Sequence, residues 1–210
     1  MYPVNLQMKG VPCLVIGGGH IAFRKVKKLV QEEASVTVLA PEISEGLKQF
    51  CAEKKLRWKA ASFTAGDTRG YTFVVTACGV RSVAEEVHKE SLTSFFLYNA
   101  ADFPSLGNCF LPASFELDHI QFAISTSGRS PAMARYVKNW LQTKIPLSFG
   151  EWLERVGHIR DNLKAHLETS EMRENFWHTV FNDQIMDLVV EGKLDEAEEC
   201  VRHAIGCFRS

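Results

Sequence analysis

Along the first hundred residues the apolar positions switch repeatedly between two periods. Residues 11–16 are a short, almost continuously apolar and β-branched run, the pattern of a strand buried on both faces. Ile21, Ala22, Val26, Leu29 and Val30 then recur at helical spacing, which predicts a helix to about Glu33. The alternation continues with a strand over 34–40 stopped by Pro41, a helix over 42–54 and a strand over 56–60. A strongly buried strand over 71–77, a helix over 80–91 and a strand over 95–99 complete it. Residues 4–8 read either as an edge strand or as a lead-in. Strands alternating with helices predict an α/β domain with a mostly parallel sheet and right-handed crossovers, whose ligands sit outside the carboxyl ends of the strands.

After Asn108 the pattern changes. Residues 109–115 and 119–126 read as two strands joined by a Glu-Leu-Asp turn. Ser130 and Pro131 then suit the cap and first position of a helix with Met133, Val137, Trp140 and Leu141 on one face. From Pro146 onward the pattern is all helical. Ser148-x-x-Glu151 has the form of a capping box, and Trp152, Val156, Ile159, Leu163 and Leu167 mark one apolar face. Further helices are expected near 171–181, 184–191 and 194–206, with Gly192 as a stop. The expected domains are a Rossmann-like dinucleotide-binding domain over 1–112, a mixed dimerisation segment over 113–146 and a small all-helical C-terminal domain over 147–210. A helical segment this small is expected to bury its faces on the first domain or a second subunit, with dimerisation through 113–145.

Composition narrows the classes. The 210 residues are 46% apolar and 23% charged with a net charge of −1, ordinary for a globular chain with a genuine core. Nothing global suggests nucleic acid or a membrane, and a cytoplasmic location is expected. An acidic ligand must be met by local basic clusters. The cysteines at 13, 51, 78, 109, 200 and 207 show no C-x-x-C or metal-finger spacing, and most read as small apolar filler. No stable metal site is expected.

The chemistry sits at strand ends. Gly17-x-Gly19-x-x-Ala22 joins the first strand to the first helix. In a dinucleotide fold the first glycine makes the turn, the second admits the pyrophosphate and a small third residue allows close helix packing. Arg24, Lys25, Lys27 and Lys28 follow in the half of the helix where the dipole disfavours cations, so they read as a solvated face or as anion-binding. The second strand ends in Leu39 and Ala40 without the usual ribose-binding acid; Glu42 is a substitute or merely a helix-start carboxylate. With no cation there for a 2′-phosphate, the strand leans to NAD. Ala77-Cys78-Gly79 and Asn99-Ala100-Ala101-Asp102 mark two more strand ends, and Asp102 reads as a functional carboxylate or a turn cap. Ser127 to Pro131, with Arg129 and Arg135, makes a second anion-binding geometry that a well-capped helix explains equally.

Several of these pieces recur in one family. Gly17-Gly18-Gly19-x-x-Ala22-x-Arg24-Lys25, Val38-Leu39-Ala40-Pro41 and Asn99-Ala100-Ala101-Asp102-x-Pro104 are followed by Phe110-x-Pro112-Ala113. Then come Ser125-Thr126-Ser127-Gly128-x-Ser130-Pro131-x-x-Ala134-Arg135 and Arg173-x-x-Phe176-Trp177. In this order, over nearly the whole chain, they resemble the siroheme synthase family, precorrin-2 dehydrogenases that are often also sirohydrochlorin ferrochelatases. The resemblance implies a homodimer that oxidises precorrin-2 to sirohydrochlorin with NAD and, in bifunctional members, inserts ferrous (or, in an assay, cobaltous) ion. It makes Asp102 the catalytic base. It places the cofactor against Gly17, Gly18, Gly19, His20, Ile21, Ala22, Ala40, Pro41, Ala77, Cys78 and Asn99. The substrate, which carries eight carboxylates, falls to Arg24, Lys25, Ser127, Gly128, Arg129, Ser130 and Arg135. Cys78 and Gly79 depart from the family's threonine followed by Asp or Asn, and His20 stands at a variable position. The competing class is an NAD-sensing module that does no chemistry and has no use for Asp102. A small-carbonyl reductase is a weaker third, because no Tyr-x-x-x-Lys is present.

Overall fold

β1 (Pro12–Ile16) is the middle strand of a five-stranded parallel sheet in the order β3-β2-β1-β4-β5. Its partners are β2 (Ser35–Leu39) and β4 (Phe73–Thr76), with β3 (Arg57–Lys59) and β5 (Leu97–Ala100) at the edges. The computed structural model describes residues 1–164, 167 and 169–207, divided into two units, Met1–Leu111 and Pro112–Ser210. The residues expected to form a dimerisation segment, 113–146, fall in the second unit with the helices.

β1 is apolar throughout its buried length because both of its faces are covered. Cys13 and Val15 meet Ala22 and Val26 of α1 (His20–Gln31), while Leu14 and Ile16 meet Val87 of α3 (Arg81–Ser94) and Tyr98. The strand order reverses between β1 and β4, so a crevice opens at their carboxyl ends, where such sheets bind dinucleotides. This is the Rossmann-like α/β arrangement expected.

Residues 4–8 are a lead-in without a strand, one of the two readings open for them. Several element boundaries shift by two or three residues. α2 runs Glu45–Glu53, starting later than residue 42, because the chain after Pro41 bends so that the Ser44 N–H donates to the Gly18 carbonyl at 2.9 Å. β5 starts at Leu97 because Phe95 closes α3 in the left-handed region, with φ 54°.

In the second unit β6 (Ala113–Leu117) and β7 (Ile120–Ile124) pair antiparallel around a two-residue turn, Asp118-His119, so Glu116 and Leu117 are strand, not turn. Residues 109–112 are not strand here: the Cys109 N–H donates to Tyr98 beside β5, and Pro112 has no N–H to give a ladder. α4 (Pro131–Lys144) is capped as expected, Ser130 Oγ accepting from the Met133 N–H at 3.1 Å. Its expected apolar face is not buried within the chain. Ala134 is the buried residue of α4, while Met133, Tyr136 and Trp140 are 54%, 67% and 50% exposed.

The capping box at α5 (Ser148–Leu163) does not form. The Ser148 hydroxyl donates instead to the Val189 carbonyl at 2.7 Å, and Glu151 accepts from Arg155 at 2.8 Å. Tertiary partners win over the local cap. α5, α6 (Ser170–Val180), α7 (Asp183–Val190) and α8 (Leu194–Cys207) enclose a core of their own, with Phe176, Val189 and Val201 fully buried. Each such side chain contributes about 1.5–3 kcal/mol, so this helical segment has a core of its own. Arg155 adds ion pairs to Asp195 and Glu198, tying α5 to α8. Among the described residues no helix is long and apolar enough to cross a membrane.

Candidate active site

The three glycines after β1 do three different things. Gly17 has φ +134°, and a Cβ there would lie 2.3 Å from the Ala77 carbonyl oxygen, so the turn hugs the end of β4. A Cβ on Gly18 would lie 2.0 Å from the Glu42 carbonyl oxygen, so Gly18 admits the β2–α2 loop. Gly19 differs: it is exposed, and a Cβ there would meet nothing within 4 Å. It is the N-cap of α1, whose first intrahelical bond runs from the Phe23 N–H to the Gly19 carbonyl at 2.9 Å. The N–H groups of His20, Ile21 and Ala22 precede that bond and point out of the helix start, with no acid in the first turn. Open space over Gly19 and outward amides fit the diphosphate of a dinucleotide. Ala22 is fully buried, the small residue that lets α1 close on the sheet, whereas Ile21 is 40% exposed and stands outside the core face expected of it. His20 is exposed at the same rim.

Ala40 ends β2 buried, its carbonyl accepting from Trp58 Nε1 at 2.9 Å, and Pro41 and Glu42 are exposed beyond it. Lys59, in register with Leu39, faces Asp67 at 3.9 Å.

The carboxyl ends of β4 and β5 hold the candidate base. Asp102 is half-buried, and its Oδ2 accepts from the Gly79 N–H at 2.8 Å. Gly79 adopts φ +69°, a conformation open to glycine at little cost. The departure at Cys78-Gly79 therefore has a structural use: it turns an amide toward the acid. Ala77 is buried under the turn and Cys78 half-buried beside it. Behind them Tyr98 is fully buried; its hydroxyl donates to the Ala84 carbonyl at 3.1 Å and lies 2.8 Å from Thr76 Oγ1. Burial, more than the charges at Cys78 and Asp102, pushes the Tyr98 phenol above its ordinary range.

Asn99 turns inward. It is 8% exposed, its amide donates to the Cys109 carbonyl at 2.9 Å and its Oδ1 has no protein partner. Asn108 accepts from the Tyr98 N–H at 2.7 Å and donates to Phe96 O at 3.1 Å, so the segment returning from Asp102 is laced along the edge of β5. Sequence reasoning missed this lacing, and it missed Arg81, whose guanidinium lies 5.6 Å from the centre of the Phe103 ring, next to Asp102. A cation in a helix's first turn, against the dipole, was the available signal.

Of the basic residues on α1, Arg24 is exposed and Lys25 half-buried. Burial first, then the Arg24 and Lys28 charges, hold the Lys25 ammonium below its ordinary range, with Cys109 opposing. A lowered folded-state pKa means the charged lysine is disfavoured by folding. That penalty is complete below the folded pKa and fades as pH rises toward the unfolded value of 10.5. Lys25→Met is therefore expected to raise the Tm of the ligand-free protein at pH 7, with the gain shrinking toward pH 10.5 in a thermal-melt series. Burial likewise raises the thiols of Cys51 and Cys109, and that of Cys13 to about 11, which suits apolar filler. The side chain of Cys207 lies outside the described residues.

In the second unit the Arg129 N–H donates to the Thr126 carbonyl at 3.0 Å across Ser127 and Gly128, at φ 54° and 79°, a type I′ turn. Thr126 Oγ1 also accepts from the Ser130 N–H at 3.1 Å. This presents Ser127, Gly128 and Arg129 exposed ahead of α4, with Arg135 exposed one turn on. Arg173, from the last of the resembling motifs, donates to the Leu167 carbonyl at 2.6 Å, and Phe176 of the same motif is core.

Residues 4–113 match a family described as putative NAD(P)-binding, and residues 148–205 match the sirohaem synthase dimerisation region. A solved structure, SirC, precorrin-2 dehydrogenase, is 31% identical with a TM-score of 0.74, over 95% of this chain and 99% of that one. This chain belongs to the siroheme synthase family. The siroheme synthase of Methylobacillus flagellatus is 32% identical over 97% of this chain and 43% of its own length. Siroheme synthase 1 of Klebsiella pneumoniae is 30% identical over 95% of this chain and 42% of its own length. The chain thus spans less than half the length of these siroheme synthases. Its first unit is a nicotinamide-dinucleotide-binding domain of that family.

Proposed function

We propose that this chain oxidises precorrin-2 to sirohydrochlorin with NAD, that Asp102 is the base, and that the same site inserts ferrous iron into the product. The observation that carries the reading is Asp102 itself, a half-buried acid held by Gly79 at a strand end of the sheet whose central turn carries the open Gly19. The cofactor would be held by the Gly17–Gly19 turn and the first amides of α1, with Ala40, Pro41, Ala77 and Cys78 along its length. When bound it accepts a hydride. The substrate loses a proton with that hydride, and Asp102 takes it: Oδ2 is pinned by Gly79, leaving Oδ1 toward the reacting atom. Iron insertion expels two pyrrole protons, and one of them can go to the same oxygen.

The choice of NAD over NADP rests on the end of β2. A 2′-phosphate there would meet the exposed Glu42, and Lys59, the nearest cation in register, faces Asp67. On the first unit Arg24 and Lys25 are assigned to substrate carboxylates, which charge-assisted bonds suit; on the second, Arg129 and Arg135 with the Ser127–Ser130 turn are a separate group suited to the same chemistry. A homodimer is assigned from the dimerisation-region match over residues 148–205, and we extend its interface to residues 113–145, where Met133, Tyr136 and Trp140 make an exposed apolar stripe on α4. The cytoplasm completes the reading, as the compartment where thiols stay reduced.

The test is anaerobic incubation with precorrin-2 and NAD, then with NADP in its place, then with ferrous or cobaltous ion added. The expected result is conversion to sirohydrochlorin with NAD, weaker conversion with NADP and a further spectral change on adding metal. No conversion with either cofactor overturns the reading.

A further inference from the structure

We propose that Arg81 is a specificity-determining residue: it takes one peripheral carboxylate of the tetrapyrrole and so sets the macrocycle against Asp102. The proposal rests on the precorrin-2 reading and adds a contact to it. Arg81 opens α3 two residues after Gly79, whose amide holds Asp102. Its guanidinium carbon is 5.6 Å from the centre of the Phe103 ring, and Phe103 follows Asp102 directly. Its Nε donates to Glu85 at 2.8 Å, while among the described residues Nη1 and Nη2 have no acceptor, and the side chain is 66% exposed. One edge of the fork is thus anchored and the guanidinium lies over the ring of the residue that follows the candidate base.

Helix stability does not account for this placement. The dipole disfavours a cation in the first turn, and an Arg–Glu pair in this order along a helix is the weaker orientation. An exposed pair of this kind contributes little. A planar fork with a free Nη edge is instead matched to a carboxylate, and stacking on a ring reduces the freedom it must give up on binding. The substrate offers eight such groups around a flat ring, so a single fixed fork can select how the ring is turned. The cofactor contacts assigned at the β4 end stop at Cys78, three residues before Arg81, so the KM for NAD is expected to stay at the wild-type value.

Steady-state kinetics of Arg81→Gln and Arg81→Lys, with sirohydrochlorin binding by fluorescence quenching, test it. Arg81→Gln is expected to raise the KM for precorrin-2 about tenfold and, with the ring no longer held against Asp102, to lower kcat, with the KM for NAD unchanged and sirohydrochlorin affinity lowered. Arg81→Lys, keeping the charge without the fork, is expected to fall between. Added salt should raise the wild-type KM more than that of Arg81→Gln. An unchanged tetrapyrrole KM and affinity in Arg81→Gln, beside an active wild type, overturns this assignment alone, as does a rise confined to NAD. A wild type that neither oxidises precorrin-2 nor binds sirohydrochlorin overturns both it and the reaction it rests on.

Discussion

Asp102→Asn is expected to lose precorrin-2 oxidation by about 10²- to 10⁴-fold, the usual worth of a positioned base, while NAD binds as in the wild type. The substitution is a clean one at this position. An asparagine oxygen can still accept from the Gly79 N–H, so the loop after β4 and the left-handed Gly79 keep their geometry. What is lost is the capacity to take a proton at the outer oxygen. Asp102→Ala makes a useful contrast, since it also frees the Gly79 amide and should loosen the end of β4 as well as abolish turnover. Rapid-mixing absorbance under anaerobic conditions reads the oxidation, and isothermal titration calorimetry with NAD reads cofactor binding. Wild-type oxidation by Asp102→Asn would show that the proton leaves by another route.

The glycine turn separates folding from binding just as sharply. Gly18→Ala would put a Cβ 2.0 Å from the Glu42 carbonyl oxygen and 2.8 Å from the Ile43 Cα. Both obstacles are backbone, so the clash cannot be relieved by a rotamer. A cost of about 3 kcal/mol or more is expected, lowering Tm by about 6 °C or more. Gly19→Asp is the opposite case. A Cβ there meets nothing within 4 Å, the backbone at φ −84° and ψ −172° suits any residue, and Asp is a favoured N-cap. Its Tm should stay close to wild type. Its carboxylate would instead face the cofactor diphosphate, and repulsion at contact distance predicts a loss of NAD affinity of about a hundredfold or more. Calorimetric melting beside NAD titration distinguishes the two variants. Retained NAD affinity in Gly19→Asp would move the cofactor away from this turn.

The periodicity of residues 11–100 was enough to read the sheet, because a strand covered on both faces must be apolar at nearly every position and its flanking helices must be apolar on one side. Gly17-x-Gly19-x-x-Ala22 and Asp102 were legible for the same reason: a tight turn and a strand-end acid leave a mark at fixed spacing. The resembling motifs carried the family. Where local and distant partners compete, sequence was silent or misleading. Ser148 and Glu151 have the spacing of a cap, yet Val189 and Arg155 take their side chains. Met133 and Trp140 have the spacing of a buried face and stay exposed, while the last four helices close a core that their short lengths did not promise. Asn99, Asn108, Gly79 and Arg81 acquire their meaning from partners 10 to 23 positions away, on other strands and loops. Sequence alone determined the sheet, the glycine turn after its first strand and the place of the strand-end acid Asp102, since each is encoded by neighbours along the chain. The tertiary structure alone decided which glycine is packed and which is open, and what holds and flanks the acid, since those depend on atoms that only folding brings together.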